Sequence, residues 1–275
     1  MTGIRQSDKP LRGKRILFCG KGGSGKSTMV ALMATVLQRK EYEVLALDGD
    51  ASNPEGLVRL LFGMGVEGEP KPLIEFFGGI DVVTCPVDDP SPLTRVNDSN
   101  PVPQNRIDAR KEISPDYFLQ KGSMILLQAG KIEAYGQGCD GPLEKVVRDF
   151  MVEGDAVNLI DMKAGIEHFG RKIPDQMDVL LCVLDCTFES VSIAKRIAEF
   201  CQEADKDFWL ILNKIGSDDV KSMLMEKLEK LQGRVIGTIP YDEELIKVGL
   251  AGNALGECKA LEQVGHIVDR LEHVV

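Results

Sequence analysis

No apolar run in the 275 residues approaches the length needed to cross a bilayer, and Met1 to Lys14 contain no apolar core of the kind a secretory leader carries. A cytoplasmic protein is expected. An excess of positive charge is missing too: 33 Lys and Arg stand against 43 Asp and Glu, a net charge of −10. That balance disfavours the nucleic-acid backbone and anionic membrane surfaces, so neither nucleic acid nor membrane is an expected partner. No internal repeat or low-complexity tract interrupts the chain. The seven cysteines are odd in number and scattered, and Cys19 and Cys182 lie inside apolar runs, as reduced cysteines do in a reducing compartment.

What is present is a rhythm of short apolar runs separated by helix-like stretches. The runs are Arg15–Gly20, Val44–Asp50, Met124–Gly130, Ala156–Met162, Val179–Asp185, Phe208–Lys214 and Arg234–Pro240. Continuously apolar strands of this length predict a parallel sheet buried on both faces, hence a doubly wound α/β domain that binds ligands at the carboxyl ends of its strands. One domain over 1–275 is expected. Residues 66–121 break the rhythm with proline-rich and polar strings such as CPVDDPSPL, and read as an irregular surface insertion or a disordered linker. Near the C-terminus, Leu261, Val264, Val268, Leu271 and Val275 share one helical face, expected to dock on the domain or a partner.

Gly20 to Thr28 read GKGGSGKST between the first apolar run and a helix-like stretch. The spacing Gly20-x-x-x-x-Gly25-Lys26-Ser27 between strand and helix is a phosphate-binding loop. Glycines let backbone N–H groups converge on phosphate oxygens, the helix contributes its positive end, Lys26 a point charge, and Ser27 a hydroxyl for magnesium. Gly20, Lys21, Gly22, Gly23, Ser24, Gly25, Lys26, Ser27 and Thr28 are all assigned to nucleotide binding.

Lys21 is not required by an ordinary loop of this kind. The string KGGxGKS/T resembles the deviant loop of the MinD, ParA and nitrogenase-iron-protein-like ATPases, a P-loop NTPase group. The resemblance implies ATP hydrolysis, slow in isolation, with ATP, ADP and magnesium bound, and a nucleotide-dependent homodimer in which Lys21 reaches the partner's phosphates. It implies Asp50, of Asp48-Gly49-Asp50, as the residue that positions water and lies near magnesium. Asp50, Ser52 or Asn53 could equally cap a helix. It implies Asp161 as the second acidic residue, contacting magnesium through water. Asn213 and Lys214 resemble the adenine-reading pair, and Pro240, Tyr241 and Asp242 the loop that closes over the base.

The string Asp161-Met-Lys-Ala-Gly-Ile-Glu-His-Phe-Gly-Arg171 is similar to the second switch of the CooC-type nickel-insertion ATPases of carbon monoxide dehydrogenase. A metallocentre maturation factor with a metalloenzyme client is thereby implied. That family carries Cys-x-Cys where this chain has Cys139-Asp140-Gly141, and Lys163 replaces an acidic residue. Cys139 is then an implied nickel or zinc ligand at a dimer interface, two copies supplying two sulfurs with Asp140 or water completing the shell. Taken alone, Cys139 also reads as a small residue near a helix start, and His168 as either a ligand or a structural hydrogen-bonding group. A MinD or ParA-like positioning or regulatory ATPase without metal is the alternative. An iron-protein-like electron donor needs a second cluster cysteine, absent from the switch, unless Cys182 or Cys186 serves.

Overall fold

A computed structural model describes residues 9–275; residues 1–8, part of the N-terminal stretch expected to lack a leader, lie outside the described part. Among the described residues, eight strands form one sheet. In chain order these are β1 (Arg15–Gly20), β2 (Val44–Gly49), β3 (Phe118–Lys121), β4 (Met124–Gln128), β5 (Val157–Met162), β6 (Val179–Leu184), β7 (Phe208–Ile215) and β8 (Val235–Pro240). Their order across the sheet is β3-β4-β2-β5-β1-β6-β7-β8, and every neighbouring pair is parallel except β3 with β4. The doubly wound α/β architecture read from the apolar runs is therefore present.

Both faces of the sheet are buried, which is why its strands are apolar without alternation. Along β1, Leu17 and Cys19 enter one core while Ile16 and Phe18 enter the other. Helices α1 (Lys26–Arg39) and α2 (Gly56–Phe62) cover the second core, together with α9 (Ala260–Val274). Helices α4 (Gly141–Asp149), α6 (Phe188–Glu203) and α7 (Asp218–Leu228) cover the first. The expected C-terminal face docks on the domain, with Leu261, Val264, Ile267, Val268 and Leu271 all buried, each contributing roughly 1.5–3 kcal/mol. Val275, beyond the end of the helix, is exposed instead. Among the described residues no helix is long and apolar enough to cross a membrane.

Residues 66–121 contain little regular structure, chiefly α3 (Leu73–Phe76), short 3₁₀ turns and β3 at the end. They are not superficial. Leu73, Phe77, Val83, Leu93, Val102, Ile107 and Ile113 are buried against Leu45, Leu127, Leu143 and Val146, so this segment and α4 together close one face of the sheet. Buried apolar side chains, rather than hydrogen-bonded ladders, hold the irregular backbone in place. Two short helices complete the fold near the ligand end: α5 (Glu167–Gly170) after β5, and α8 (Glu243–Ala251) after β8.

Candidate nucleotide-binding site

β1 delivers the chain to the loop at Gly20, where a Cβ would stand 2.4 Å from the Val183 carbonyl oxygen of β6, so only glycine lets the strands remain paired there. Gly25 turns the chain into α1 with φ 100°, and a Cβ on it would meet Asn213 Nδ2 at 2.3 Å. That close approach has a purpose. Asn213 Nδ2 donates to the Ser24 carbonyl at 2.8 Å and Lys214 Nζ to the Gly23 carbonyl at 2.7 Å, so the pair at the end of β7 braces the loop from outside. No acidic side chain occupies the first turn of α1, leaving its positive end free for an anion.

The loop forms one wall of a cleft of about 640 Å³. Gly22, Gly23, Gly25, Lys26, Ser27 and Thr28 line it, as do Asp50, Asn213 and Lys214, and Pro240, Tyr241 and Asp242. Leu60, Leu245 and Ile246 add an apolar side on which a base could rest. Most of the expected nucleotide-binding residues thus share one cavity. Gly20, Lys21, Ser24 and Asp161 stand just behind or beside it. Lys26 is buried, with Nζ donating to the Lys21 carbonyl at 3.3 Å. Lys21 turns toward its own chain, 3.4 Å from Asp185 and 3.9 Å from Glu189. Asp242 caps α8 by accepting from the Glu244 N–H.

Three acidic residues sit at the ends of β2 and β5. Asp48 and Asp161 are in register on these neighbouring strands and both fully buried. Asp48 is well partnered: Lys131 Nζ lies 3.0 Å away, and the N–H groups of Asp50 and Leu57 donate to its carboxylate. Asp161 has no hydrogen-bond partner at either oxygen. Burial, and then the neighbouring Asp48 charge, push its carboxyl up to about 8, against Ser27 and Lys26. An orphaned buried carboxylate beside the Ser27 hydroxyl fits a magnesium ion, since the donor set of oxygens suits that hard cation. Asp50 Oδ1 accepts from both Ser52 N–H and Ser52 Oγ–H, at 3.0 and 2.6 Å. Helix α2 is not capped by Asp50 or Ser52: Asn53 accepts the Gly56 N–H and Asp48 the Leu57 N–H.

Lys131 went unread in the sequence. It is nearly buried and joins the Asp48 carboxylate to the Asp50 carbonyl, 2.8 Å away, so it fixes the whole Asp48–Asp50 turn. The available signal was a lysine directly ending an apolar strand and glycine, in Leu126-Leu-Gln-Ala-Gly-Lys131.

The second switch touches the loop and then leaves the cleft. The Gly165 N–H donates to the Gly20 carbonyl, and Ala164 lines the cleft. Further along, Lys163 and Arg171 both grip Asp140, at 2.5 and 3.0 Å, and Glu144, at 3.1 and 2.7 Å. Burial pushes Asp140 up, but Lys163 and Arg171 outweigh it and hold the carboxyl below its usual range. Asp140 is therefore engaged by two cations, which compete with its expected place in a metal shell beside Cys139. Lys163 faces two carboxylates, so a lysine suits this position. His168 is wholly buried against Phe169 with both ring nitrogens unpartnered, and burial lowers it to about 3. Neither expected partner, a metal or a hydrogen-bonding group, meets the ring nitrogens there. Cys182 is buried within β6, beside Cys19 of β1.

Cys139 lies next to a helix start, as one of its two readings expects. Cys139 is exposed at the start of α4, and a Cβ on Gly141 would meet Cys85 Sγ at 2.4 Å and Cys139 Sγ at 3.4 Å. A second thiol therefore does lie beside Cys139, from residues 66–121. Among the described residues no group of three or more His, Cys, Asp or Glu side chains could hold a metal ion.

Strand, glycine loop, helix and oxygen-lined cleft define a P-loop nucleoside-triphosphate-binding protein. Residues 16–255 match the CobQ/CobB/MinD/ParA nucleotide binding domain, and the chain belongs to that family. It is 32% identical over 94% of its length, and 99% of the relative's, to an uncharacterized ATP-binding protein of Methanocaldococcus jannaschii. It is 26% identical to the carbon monoxide dehydrogenase accessory protein CooC of Rhodospirillum rubrum, over 86% of this chain and 88% of that one. The septum site-determining protein MinD of Pyrococcus horikoshii, solved with Mg-ADP, shares its fold at TM-score 0.63 and 18% identity, covering 94% of this chain and 96% of that one.

Proposed function

We propose that the chain is an ATP-driven, dimerising switch ATPase that serves metallocentre assembly, inserting nickel into carbon monoxide dehydrogenase or a related metalloenzyme. The observation that carries this is the ion-pair cluster: Lys163 and Arg171, on the segment that begins at Asp161, hold the carboxylate next to Cys139. A change at the phosphates thus has a direct mechanical route to an exposed thiol. The likeness to CooC supports the choice of client.

In this reading the loop amides and Lys26 bind the triphosphate, and the adenine rests among Leu245, Ile246 and Tyr241. Ser27 and Asp161 would hold magnesium, which supplies positive charge at the phosphate oxygens. Asp50, its turn fixed by Lys131, orients the attacking water. Lys21 leaves Asp185 to place its charge at the partner's phosphates, where charge grows as the γ-phosphoryl group departs. Hydrolysis releases the Gly20–Gly165 contact region, and the second switch carries Asp140 and Cys139 with it.

Nickel titration with and without a non-hydrolysable ATP analogue tests the reading, alongside magnesium-dependent phosphate release. Nickel affinity should rise at least about tenfold with the analogue. Hydrolysis with no nickel binding in either condition would leave a regulatory ATPase without metal, and no ATP binding would end both readings.

A further inference from the structure

We propose that Cys85 and Cys139 form one two-thiol chelate for a soft divalent ion, assembled from parts of the chain more than fifty residues apart. This deepens the maturation-factor reading and rests on it for the identity of the cargo. The site is built rather than accidental, for three reasons.

First, Cys85 is held in place from both sides. The turn at Thr84–Asp89 is closed by N–H groups of Asp88 and Asp89 donating to the Cys85 carbonyl, and by the Thr84 hydroxyl donating to Asp89. Lys145 of α4, its side chain almost fully buried, reaches out to bind the Asp89 carboxylate at 2.8 Å, the Asp89 carbonyl and the Thr84 hydroxyl. A lysine that gives up nearly all its hydration for this turn fixes it against the first turns of α4. Cys85 is thereby set over Gly141.

Second, Gly141 is the residue that makes the approach possible. The Cys85 sulfur stands 2.4 Å from the point where any larger residue at 141 would place its Cβ, and the Cys85 Cβ 2.8 Å from it. A side chain there would expel Cys85. The sulfur of Cys85 therefore fills the space that a second cysteine of a Cys-x-Cys pair would enter. Restoring that spacing with Gly141→Cys would push Cys85 away rather than add a third sulfur.

Third, the competing ligand is removed. Asp140, between Cys139 and Gly141 in the chain, has both carboxylate oxygens engaged by Lys163 and Arg171. The pair is left as two sulfurs, one exposed and one half-buried, whose separation cannot exceed the two Gly141 distances laid end to end. Rotation about the side chains can bring both sulfurs to one ion at thiolate bond lengths of about 2.3 Å. Two thiolates select zinc or nickel over magnesium. They occupy only half of a tetrahedral shell, so the remaining positions come from outside this pair. An ion held that way stays open to exchange, as a cargo must.

The test uses the full chain, reduced, titrated with Zn²⁺ against a chromophoric competitor in the presence of a non-hydrolysable ATP analogue. Wild type, Cys85→Ser, Cys139→Ser and the double variant are compared, with nucleotide affinity as the measure of folding. Each single variant should weaken Zn²⁺ binding by about a hundredfold, and the double variant should be little worse than either, because a chelate fails when one arm is lost. Cys85→Ser that binds Zn²⁺ like wild type, while Cys139→Ser does not, overturns the pair and leaves the metal-carrier reading standing. A wild type that binds neither Zn²⁺ nor Ni²⁺ overturns both. Proximity has its own readout: diamide, taking up two electrons and two protons, should convert the two thiols to one Cys85–Cys139 disulfide, mapped by peptide mass. Metal should protect against that oxidation, and failure of the cross-link to form in metal-free protein would sink the proposal.

Discussion

Asp161 is a carboxyl group that folding prefers protonated. Its usual value of 3.8 rises to about 8, so the stabilisation is complete below about pH 4 and is lost as pH rises through 8. His168 has the opposite sign: lowered from 6.5 to about 3, it favours the fold above pH 6.5 and loses that contribution as pH falls toward 3. Between roughly pH 4 and 6.5 the two oppose each other, and above 6.5 Asp161 acts alone. Urea unfolding of the nucleotide-free, magnesium-free protein should therefore show stability falling between pH 6.5 and 8, with a slope of at most about 1.4 kcal/mol per pH unit. Asp161→Asn should remove that fall and uncover the acid sensitivity of His168 below pH 6.5; an unchanged slope would show that Asp161 is already ionised. At the same scale, Lys26→Ala removes the buried cation facing the phosphates and should weaken ATP binding by about a hundredfold or more, read by calorimetry.

At the scale of elements, seven strands were legible because a parallel strand buried on both faces is apolar at every position, a local property. β3 was not: it is a four-residue antiparallel edge strand, partly exposed, in Phe118-Leu-Gln-Lys121, and it carries no such run. The buried residues of 66–121 were hidden for the same reason, since isolated apolar positions among prolines have no period to read. The nucleotide loop was legible as one contiguous string, whereas Lys131 on Asp48 and Cys85 over Gly141 are long-range contacts that only the folded chain reveals. Lys131 and Asp48 together predict a stability effect. Breaking a buried ion pair by removing one partner costs about 3–5 kcal/mol, so Lys131→Met should be destabilised by roughly that amount in chemical denaturation. Pairing it with Asp48→Asn should recover part of the loss, although the Asp50 carbonyl stays without its lysine and turnover stays low. Full recovery of turnover in the double variant would show that Lys131 has no part in positioning Asp50.

The whole molecule is expected to act as a pair, and the resting position of Lys21 sets up the test of that expectation. Its ammonium lies against Asp185, whose carboxyl burial raises but whose bonds from Ser190, Thr187 and Lys21 itself outweigh that and hold it below its usual range. To act on a partner's nucleotide, Lys21 must leave this contact. Two such pairs break for each dimer formed, and a partly exposed pair is worth about 0.2–1 kcal/mol. Removing the restraint with Asp185→Asn should therefore tighten ATP-dependent dimerisation by at most about thirtyfold. Lys21→Ala, which loses the charge that crosses the interface, should stay monomeric with ATP, while Asp50→Asn should bind ATP, fail to hydrolyse it and accumulate as the dimer. Light scattering of all three with ATP, beside phosphate release, separates the roles. If Lys21→Ala dimerises and turns over like wild type, the ammonium serves only its own chain at Asp185, and the charge that completes the site must come from elsewhere.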